Sequence, residues 1–221
     1  MGHHRVMTLA VLGAGLFGCA TTGGYTTTES GGTVALNPNG VMVSNNAVEL
    51  KQAMRKLWSD HVIWTRDYIV AAIADSPGAS ATAARLLKNQ DDIGKAIVPY
   101  YGAAAGTKLT QLLKDHITIA VDLVAAAKAG DNAKLTDADK RWHGNATDIA
   151  TFLSAANPHW SRDVLLSMLN DHLRLTTEEA KARLEKRWAD DIATFDKIYE
   201  QALMMADALA EGIIKQFPNK V

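Results

Sequence analysis

The stretch Leu57–Asp67, LWSDHVIWTRD, decides the fold, because the Asp-His pair at its centre occurs twice more along the chain. The three copies are Asp60-His61 in LWSDHVIWT, Asp115-His116 in LLKDHITIA and Asp171-His172 in MLNDHLRLT. An aliphatic residue follows each histidine, and apolar residues recur around it at the spacing of an amphipathic helix. Each histidine lies on the apolar face of its predicted helix. The sequence therefore predicts three inward-facing imidazoles that can meet at one place.

The composition of the chain indicates one all-helical domain. Its 221 residues are 48% hydrophobic, which is enough to bury a core, and only 5 of them are proline. Beyond about residue 46 the chain is rich in Ala, Leu, Lys, Glu and Asp, as helical proteins are. We therefore predict an all-α fold at 46–217, an antiparallel helical bundle of about four long helices plus shorter ones. The net charge of −1, with no long basic run, argues against a nucleic-acid partner.

The first residues have the pattern of a targeting segment. Met1–Arg5 carries a positive charge, and Val6–Phe17 is an unbroken run of apolar and small residues, too short to span a bilayer. The sequence Leu-Phe-Gly-Cys that ends at Cys19 resembles the lipobox of bacterial lipoproteins. The resemblance implies a signal peptide at 1–18 and a lipid anchor on Cys19. A plain secretory signal is the alternative.

The resemblance to the lipobox also implies a cellular location for the protein. A lipid-anchored protein of this kind is extracytoplasmic, and the absence of an acidic residue after Cys19 indicates the outer membrane if the host has two membranes. Residues 19–45 are rich in Thr, Gly and Ser and are predicted to be a flexible tether with one extended piece, Thr33–Leu36. The pattern G-x-G-x-x-G at 13–18 is rejected as a dinucleotide site, because no helix can follow it.

Helix boundaries are predicted from capping residues and from Pro and Gly. Capping boxes are predicted at Asn46, Thr136 and Thr176, and Ser161 is predicted to cap a shorter helix. Pro99 is expected to end or bend the second helix. The predicted helices are 46–74, 80–101, 106–129, 136–156, 161–175 and 176–216. Apart from the Asp-His pairs, no internal repeat with a fixed period is evident.

The histidines allow two interpretations. As neutral core residues, they would each need a hydrogen-bond partner, because burying unpaired imidazoles costs free energy. As ligands, their nitrogens suit Zn, Cu, Fe or Ni, and an acid could hold the second ring nitrogen. The local spacings of strong metal motifs, such as Glu-x-x-His, are missing. The candidate ligands of a transition metal ion are His61, His116, His172, Asp122, Glu200 and Asp207.

Arg66 and Trp64 are the candidates for binding a small anionic ligand. A guanidinium on this half-apolar face needs either a structural carboxylate or an anionic ligand. The acids best placed for it are Asp67, Asp122, Glu200 and Asp207. No catalytic residue is predicted, because there is no nucleophile motif and the only cysteine is assigned to lipidation. An enzyme is therefore the less favoured class.

Several stretches resemble a family of uncharacterised bacterial helical proteins. They are LWSDHVIWTR, VPYYG, LLKDHI, KRWHGNATDIATFLSAANPHW, DHLRLTTEEA and EQALMMADALAEGI, which together span about residues 50–217. Some members carry labels such as acetylglutamate kinase or glycosyltransferase, whose parallel-sheet folds do not fit an all-helical pattern. The resemblance implies a helical domain and no particular activity.

Two functions are expected from these observations. The first is a membrane-anchored bundle that binds a metal ion or small anionic ligand through its inward histidines. The alternative is a structural or partner-binding envelope lipoprotein without a small-molecule site. The protein partner in the second case is unknown.

Overall fold

The structure, a computed structural model, describes residues 34–36 and 42–221. Six α-helices make up most of this part: α1 Asn45–Ile73, α2 Ala79–Ala96, α3 Val98–Ala129, α4 Asn132–Ala156, α5 Arg162–Leu184 and α6 Trp188–Gln216. Two short strands, β1 Val34–Leu36 and β2 Met42–Ser44, pair antiparallel before α1. The predicted all-α class is confirmed. The predicted signal peptide and Cys19 lie outside the described residues.

The six helices form a closed antiparallel ring. Each helix packs on its neighbours in sequence, and α6 returns to pack on α1. The odd-numbered helices α1, α3 and α5 also contact one another across the middle. The apolar core fills the inside of the ring and includes Met54, Trp58, Ile93, Leu113, Trp142, Ile149, Leu169 and Ile213. Among the described residues, no helix is both long and apolar enough to cross a membrane.

The ring is built from three helical hairpins, α1–α2, α3–α4 and α5–α6, in which equivalent positions recur. The histidines of the first helices are 55 and 56 residues apart. In the second helices, the buried residues Ile93, Ile149 and Met205 are each 56 residues apart. The prediction that no fixed-period repeat exists beyond the Asp-His pairs is therefore wrong. Sequence identity does not reveal this recurrence, because Ile93, Ile149 and Met205 are all apolar but not all identical.

Two of the predicted helix starts are displaced. Ser44, and not Asn46, caps α1, because its Oγ accepts from the N–H of Ala47 at 3.1 Å. Asp131, and not Thr136, caps α4, because its Oδ1 accepts from the N–H of Lys134 at 3.1 Å. In both cases the helix begins earlier than predicted, because a side chain that comes earlier in the sequence accepts a hydrogen bond from a free N–H group of the first turn. The predicted cap at Ser161 agrees with the structure.

The predicted helix boundary at Thr176 is wrong, because α5 continues to Leu184. The Thr176 hydroxyl donates to the carbonyl oxygen of His172 at 2.9 Å, four residues back in the same helix. Glu179, expected to complete a capping box, is buried in an ion pair with Arg66. The true break follows Leu184, where Lys186 has a positive φ of 60°.

The region around Pro99 differs from the predicted single helix at 80–101. Here α2 ends at Ala96 and α3 begins at Val98 with Pro99 in its first turn, where a missing N–H costs no hydrogen bond. Gly102 interrupts the helical conformation with a φ of 83°. Beyond this kink, α2 and α3 approach closely, and a Cβ on Gly106 would lie 2.8 Å from the carbonyl oxygen of Gly94.

Candidate functional site: a buried histidine cluster

Three histidines meet at the centre of the ring, where α1, α3 and α5 contact one another. The ring centroid of His172 lies 5.7 Å from that of His61 and 6.2 Å from that of His116. The exposed fractions are 3% for His61, 3% for His116 and 5% for His172. Each histidine thus points into the ring of helices, as its position on the predicted apolar face indicated. We call these three side chains the histidine cluster.

The imidazole of His116 is held by Asn145 of α4. Asn145 Oδ1 lies 2.8 Å from His116 Nδ1, and Asn145 Nδ2 donates to the carbonyl oxygen of Leu112 at 2.9 Å. Because the amide nitrogen donates to Leu112, the amide oxygen faces the imidazole of His116 and accepts from its Nδ1–H. His116 therefore carries its proton on Nδ1 and keeps a lone pair on Nε2.

Equivalent amide contacts recur in the other two hairpins. Asn89 Nδ2 donates to the carbonyl oxygen of Leu57 at 3.0 Å, and Gln201 Nε2 donates to that of Met168 at 2.9 Å. In every hairpin the accepting carbonyl belongs to the residue four positions before the histidine. The second helix is thus tied to the first at the level of the histidine cluster. These amides were not predicted, because their only signal in the sequence is an Asn or Gln 28 or 29 residues after each histidine.

His61 has a weaker amide partner. Gln90 Nε2 lies 3.3 Å from His61 Nδ1 and donates over shorter distances to Leu86 O and to Asn89 Oδ1, at 2.8 Å and 3.1 Å. Four buried polar atoms near the cluster have no hydrogen-bond partner in the described part of the chain: Gln90 Oε1, Gln201 Oε1, Trp58 Nε1 and Trp142 Nε1. Trp58 packs edge-on against His61, and Trp142 packs against His116, with ring centroids 5.6 Å and 5.2 Å apart.

Burial keeps the histidine cluster uncharged. Desolvation lowers the pKa of His116 to about 3 and that of His172 to about 4. It also lowers the pKa of His61 well below 6.5, and repulsion between the rings adds to the effect for His61 and His116. The side chain of Gln201 opposes the decrease for His172, although its Oε1 makes no hydrogen bond of good geometry. All three imidazoles are therefore neutral at pH 7, which suits a metal ion and does not suit an anion.

A small cavity lies beside the histidine cluster. The volume open to the centre of a water molecule is about 20 Å³. About 10–15 Å³ by this measure is enough for one water, so the cavity has room for one water or one metal ion. Besides the histidines, its walls include Thr65, Ile69, Leu86, Ile117, Val124 and Thr176. No acidic side chain lines it in the described residues.

The structure does not bring the predicted acidic ligands to the histidine cluster. Asp122 pairs with Arg141 at 3.1 Å and Asp207 with Arg55 at 2.5 Å, both at the surface, and Glu200 is exposed. These acids were chosen from helical periodicity. Periodicity does not show that Asp122 and Asp207 form ion pairs with arginines of neighbouring helices. As the side chains lie, no group of three or more His, Cys, Asp or Glu within residues 42–221 is arranged to hold a metal ion.

Arg66 is part of a buried ionic network that joins three helices. Arg66 Nη1 of α1 pairs with Glu179 of α5 and, at 2.7 Å, with Asp191 of α6. Asp191 also pairs with Arg183 at 3.0 Å. The side chains of Glu179 and Asp191 are only 2% and 1% exposed. Burial raises the pKa of Glu179 to about 7, although the charge of Arg66 opposes the increase.

Of the two kinds of partner considered for Arg66, a structural carboxylate or an anionic ligand, the structure shows the carboxylate. Arg66 is already neutralised by two carboxylates, and the Arg85 guanidinium stacks 5.1 Å from the Trp64 ring centroid. Both residues line an open groove at the surface and not the cavity of the histidine cluster. None of the four acids predicted as its partners pairs with Arg66 in the described residues, because the carboxylates that do so are 113 and 125 residues away in sequence.

Comparison with known proteins adds no family to this description. No protein-family model, curated protein or solved structure matches the chain. The resemblance to uncharacterised helical proteins thus has no support from a family model. The function proposed below is argued from the sequence and the geometry of the chain.

Proposed function

We propose that this chain is a lipid-anchored envelope protein whose helical ring binds one transition metal ion at His61, His116 and His172. The observation that carries the proposal is the meeting of three neutral imidazoles, with centroids 5.7 Å and 6.2 Å apart, beside a cavity of ionic size. Imidazole binds first-row metals through a neutral ring nitrogen, and the lowered pKa values keep these rings neutral.

The hydrogen bonds around the rings support a ligand role. Asn145 accepts the Nδ1–H of His116, so that Nε2 is left as the donor atom for a metal, as is usual for metal-bound histidines. The contact between Gln90 and His61 is long, at 3.3 Å, and correspondingly weak. The amide partner therefore holds the His61 ring less firmly than Asn145 holds the His116 ring. A shared ion requires the rings to turn, since they do not converge on one point as they lie.

The proposed anchor is supported by sequence. The apolar run Val6–Phe17, the lipobox-like residues before Cys19 and the Thr-rich segment after it have the order found in lipoproteins. The 14 Thr- and Gly-rich residues between Cys19 and β1 would span roughly 20 Å on average as a coil. The ring would then stand clear of the membrane surface, on the extracytoplasmic side and at the outer membrane in a host with two membranes.

Elemental analysis tests the metal site. The full chain is purified without a tag, and His3 and His4 are replaced by Ala so that the leader contributes no imidazole. We expect one equivalent of Zn, Cu, Fe or Ni, and an equal loss of metal in His61→Ala, His116→Ala and His172→Ala. The control is His143→Ala, because that ring is 48% exposed and lies outside the histidine cluster.

A different outcome supports the alternative function. If the protein carries no metal and the three variants lose only stability, the histidines are core residues of a structural or partner-binding lipoprotein. Unequal loss of metal among the three variants would also contradict a shared site.

Membrane fractionation tests the anchor independently of the metal. We expect Cys19→Ser to move the protein from the membrane fraction to a soluble or uncleaved form. Mass spectrometry of the unaltered protein should show the added acyl chains. An unchanged distribution, or a mass without acyl chains, would contradict the anchor and leave the metal site untouched.

A further inference from the structure

An apolar groove lies on the outer surface of the helical ring, between α1 and α6. We call it the outer groove, and it is lined by Ile63, Trp64, Arg66, Asp67, Val70 and Phe195. We propose that the outer groove binds a basic amphipathic helix of a protein partner. The proposal is independent of the metal site, because the outer groove shares no residue with the cavity of the histidine cluster.

The outer groove carries apolar side chains that the fold leaves in contact with water. Ile63, on its α1 side, is 45% exposed. On α6, Trp188 and Ile192 are 51% and 56% exposed. They precede Phe195 by seven and three residues, so the three side chains lie on one side of that helix, the side that borders α1. Contiguous apolar side chains on a protein surface are typical of sites that bind another molecule.

The aromatic side chains of this surface are held in place by arginines of the ionic network. The guanidinium of Arg66 lies 4.7 Å from the ring centroid of Phe195, and that of Arg183 lies 4.9 Å from the centroid of Trp188. Asp191, which is buried, pairs with both arginines. The rings are therefore positioned before a partner binds, which lowers the entropic cost of docking.

The unpaired charges at the edge of the outer groove are negative. Asp67 lines the α1 side, and Asp196 and Glu200 follow Ile192 on α6 at steps of four residues. All three acids are exposed, and none of them forms an ion pair within residues 42–221. The two arginines under the aromatic rings are already paired with buried carboxylates. The outer groove therefore complements lysine and arginine side chains, and it repels an anionic membrane surface.

The length of this surface suits a short helix. Glu200 lies 12 residues after Trp188, a rise of about 18 Å, which matches about three turns of a docked helix. Such a helix would pack aliphatic side chains against Trp188 and Ile192 and place its basic side chains near the three acids, as amphipathic helices do when they bind in grooves. A second copy of this chain fits less well, because two acidic surfaces would face each other.

A model peptide tests the proposal on the full chain in a non-ionic detergent. The probe is a fluorescent peptide of about 14 leucine and lysine residues, patterned as an amphipathic helix, with one benzophenone side chain on its apolar face. We expect its photo-cross-links, mapped by mass spectrometry, to fall within residues 63–70 and 188–200. A peptide with glutamate in place of every lysine should bind at least about tenfold more weakly.

Substitutions separate the apolar and the charged contributions to binding. Ile192→Gln and Asp196→Lys should each weaken the binding of the cationic peptide by about tenfold, as measured by fluorescence anisotropy. The matched controls are Val164→Gln, at an aliphatic residue of α5 that is 57% exposed, and Asp148→Lys, at an exposed acid of α4. Both controls should leave the affinity unchanged. Circular dichroism and thermal melting check that each variant is folded.

Several outcomes would overturn the proposal. They are equal binding of the cationic and the anionic peptide, cross-links outside the outer groove, and unchanged affinity in both groove variants. Self-association that Ile192→Gln abolishes, measured by analytical ultracentrifugation, would show that a second copy is the occupant and would overturn it too. Quenching of Trp188 fluorescence by brominated anionic lipid would do the same in favour of a membrane surface. None of these measurements depends on bound metal, so the proposed function is tested separately.

Discussion

Asn145 holds the imidazole of His116 through its amide oxygen at 2.8 Å and, through its amide nitrogen, holds the main chain of the helix that carries that histidine. One side chain therefore sets the position of α4 against α3 and also the tautomer of the ring. Asn89 and Gln201 make the equivalent main-chain contact in the other hairpins. The polar layer thus fixes the alignment of the helices, which an apolar core specifies less strictly.

The first prediction concerns this amide. We expect Asn145→Ala to lower the free energy of unfolding by about 2–4 kcal/mol, because it leaves the Nδ1–H of His116 buried without a partner and opens a small cavity. Urea denaturation monitored by circular dichroism measures the change. Gln111→Ala removes an exposed hydrogen bond and should cost no more than about 0.5 kcal/mol. Equal effects of the two substitutions would contradict the importance of the polar layer.

The second prediction is acid instability caused by the histidine cluster. The folded-state pKa values lie below the unfolded value of 6.5, at about 3 for His116 and about 4 for His172. Between pH 6.5 and 4 the unfolded chain therefore binds more protons than the folded one, so stability is complete above pH 6.5 and is lost as the pH falls. Each histidine should contribute a slope of about 1.4 kcal/mol per pH unit.

Substitutions separate the contributions to this pH dependence. Urea denaturation of His116→Leu at several pH values should show a dependence of stability on pH that is smaller by about 1.4 kcal/mol per pH unit. Glu179 acts in the opposite sense, because its pKa is raised from 4.5 to about 7, and its contribution is lost as the pH rises through 7. Glu179→Gln should therefore steepen the loss of stability between pH 7 and 5. A flat profile in the unaltered protein would contradict neutral buried histidines.

The third prediction concerns the ionic network. Arg66→Met should cost about 3–5 kcal/mol, because it leaves the buried carboxylates of Glu179 and Asp191 with less positive charge. Adding Glu179→Gln to Arg66→Met should recover part of that loss by removing one buried charge. Arg55→Ala breaks an exposed pair, in which the arginine side chain is 52% exposed, and should destabilise the protein much less than Arg66→Met. Urea denaturation of all three proteins provides the comparison.

The fourth prediction compares two helical glycines. A Cβ on Gly212 would lie 1.9 Å from Trp160 Nε1, whereas a Cβ on Gly144 would have no neighbour within 4 Å. Gly212→Ala should therefore destabilise the protein by about 1–3 kcal/mol or more through overpacking. Gly144→Ala should stabilise it by about 0.5–1 kcal/mol, because alanine favours the helix. Thermal melting of both variants measures these effects. A neutral Gly212→Ala would contradict the close packing of Gly212 against Trp160.

Local patterns predicted the parts of this fold that depend on local chemistry. The apolar periodicity around each Asp-His pair gave the three helices and the inward face of His61, His116 and His172. The cap at Ser161 was also predicted, because a capping hydrogen bond joins residues only three positions apart.

Features that depend on distant residues were missed. Thr176 and Glu179 have the spacing of a capping box, yet Glu179 is buried against Arg66, which lies 113 residues earlier. The amide partners of the histidines were missed because Asn and Gln are ordinary on helix surfaces, and nothing local shows that Asn145 faces Leu112, 33 residues earlier. The same reason explains the failure to place Asp122 and Asp207, whose arginine partners lie on neighbouring helices.

The packing of α6 on α1 predicts that the chain can start at a different helix. Lys51 near the start of α1 pairs with Glu211 near the end of α6 at 3.2 Å, so the two ends of the helical ring are neighbours. A short Gly-Ser linker can therefore join them, and the chain can be opened instead at the exposed turn Pro77-Gly78. We expect this circular permutant to melt cooperatively with unchanged helix content, whereas a loss of folding would show that chain order matters. The six helices would then behave as a cycle, in which α2 can come first as well as α1.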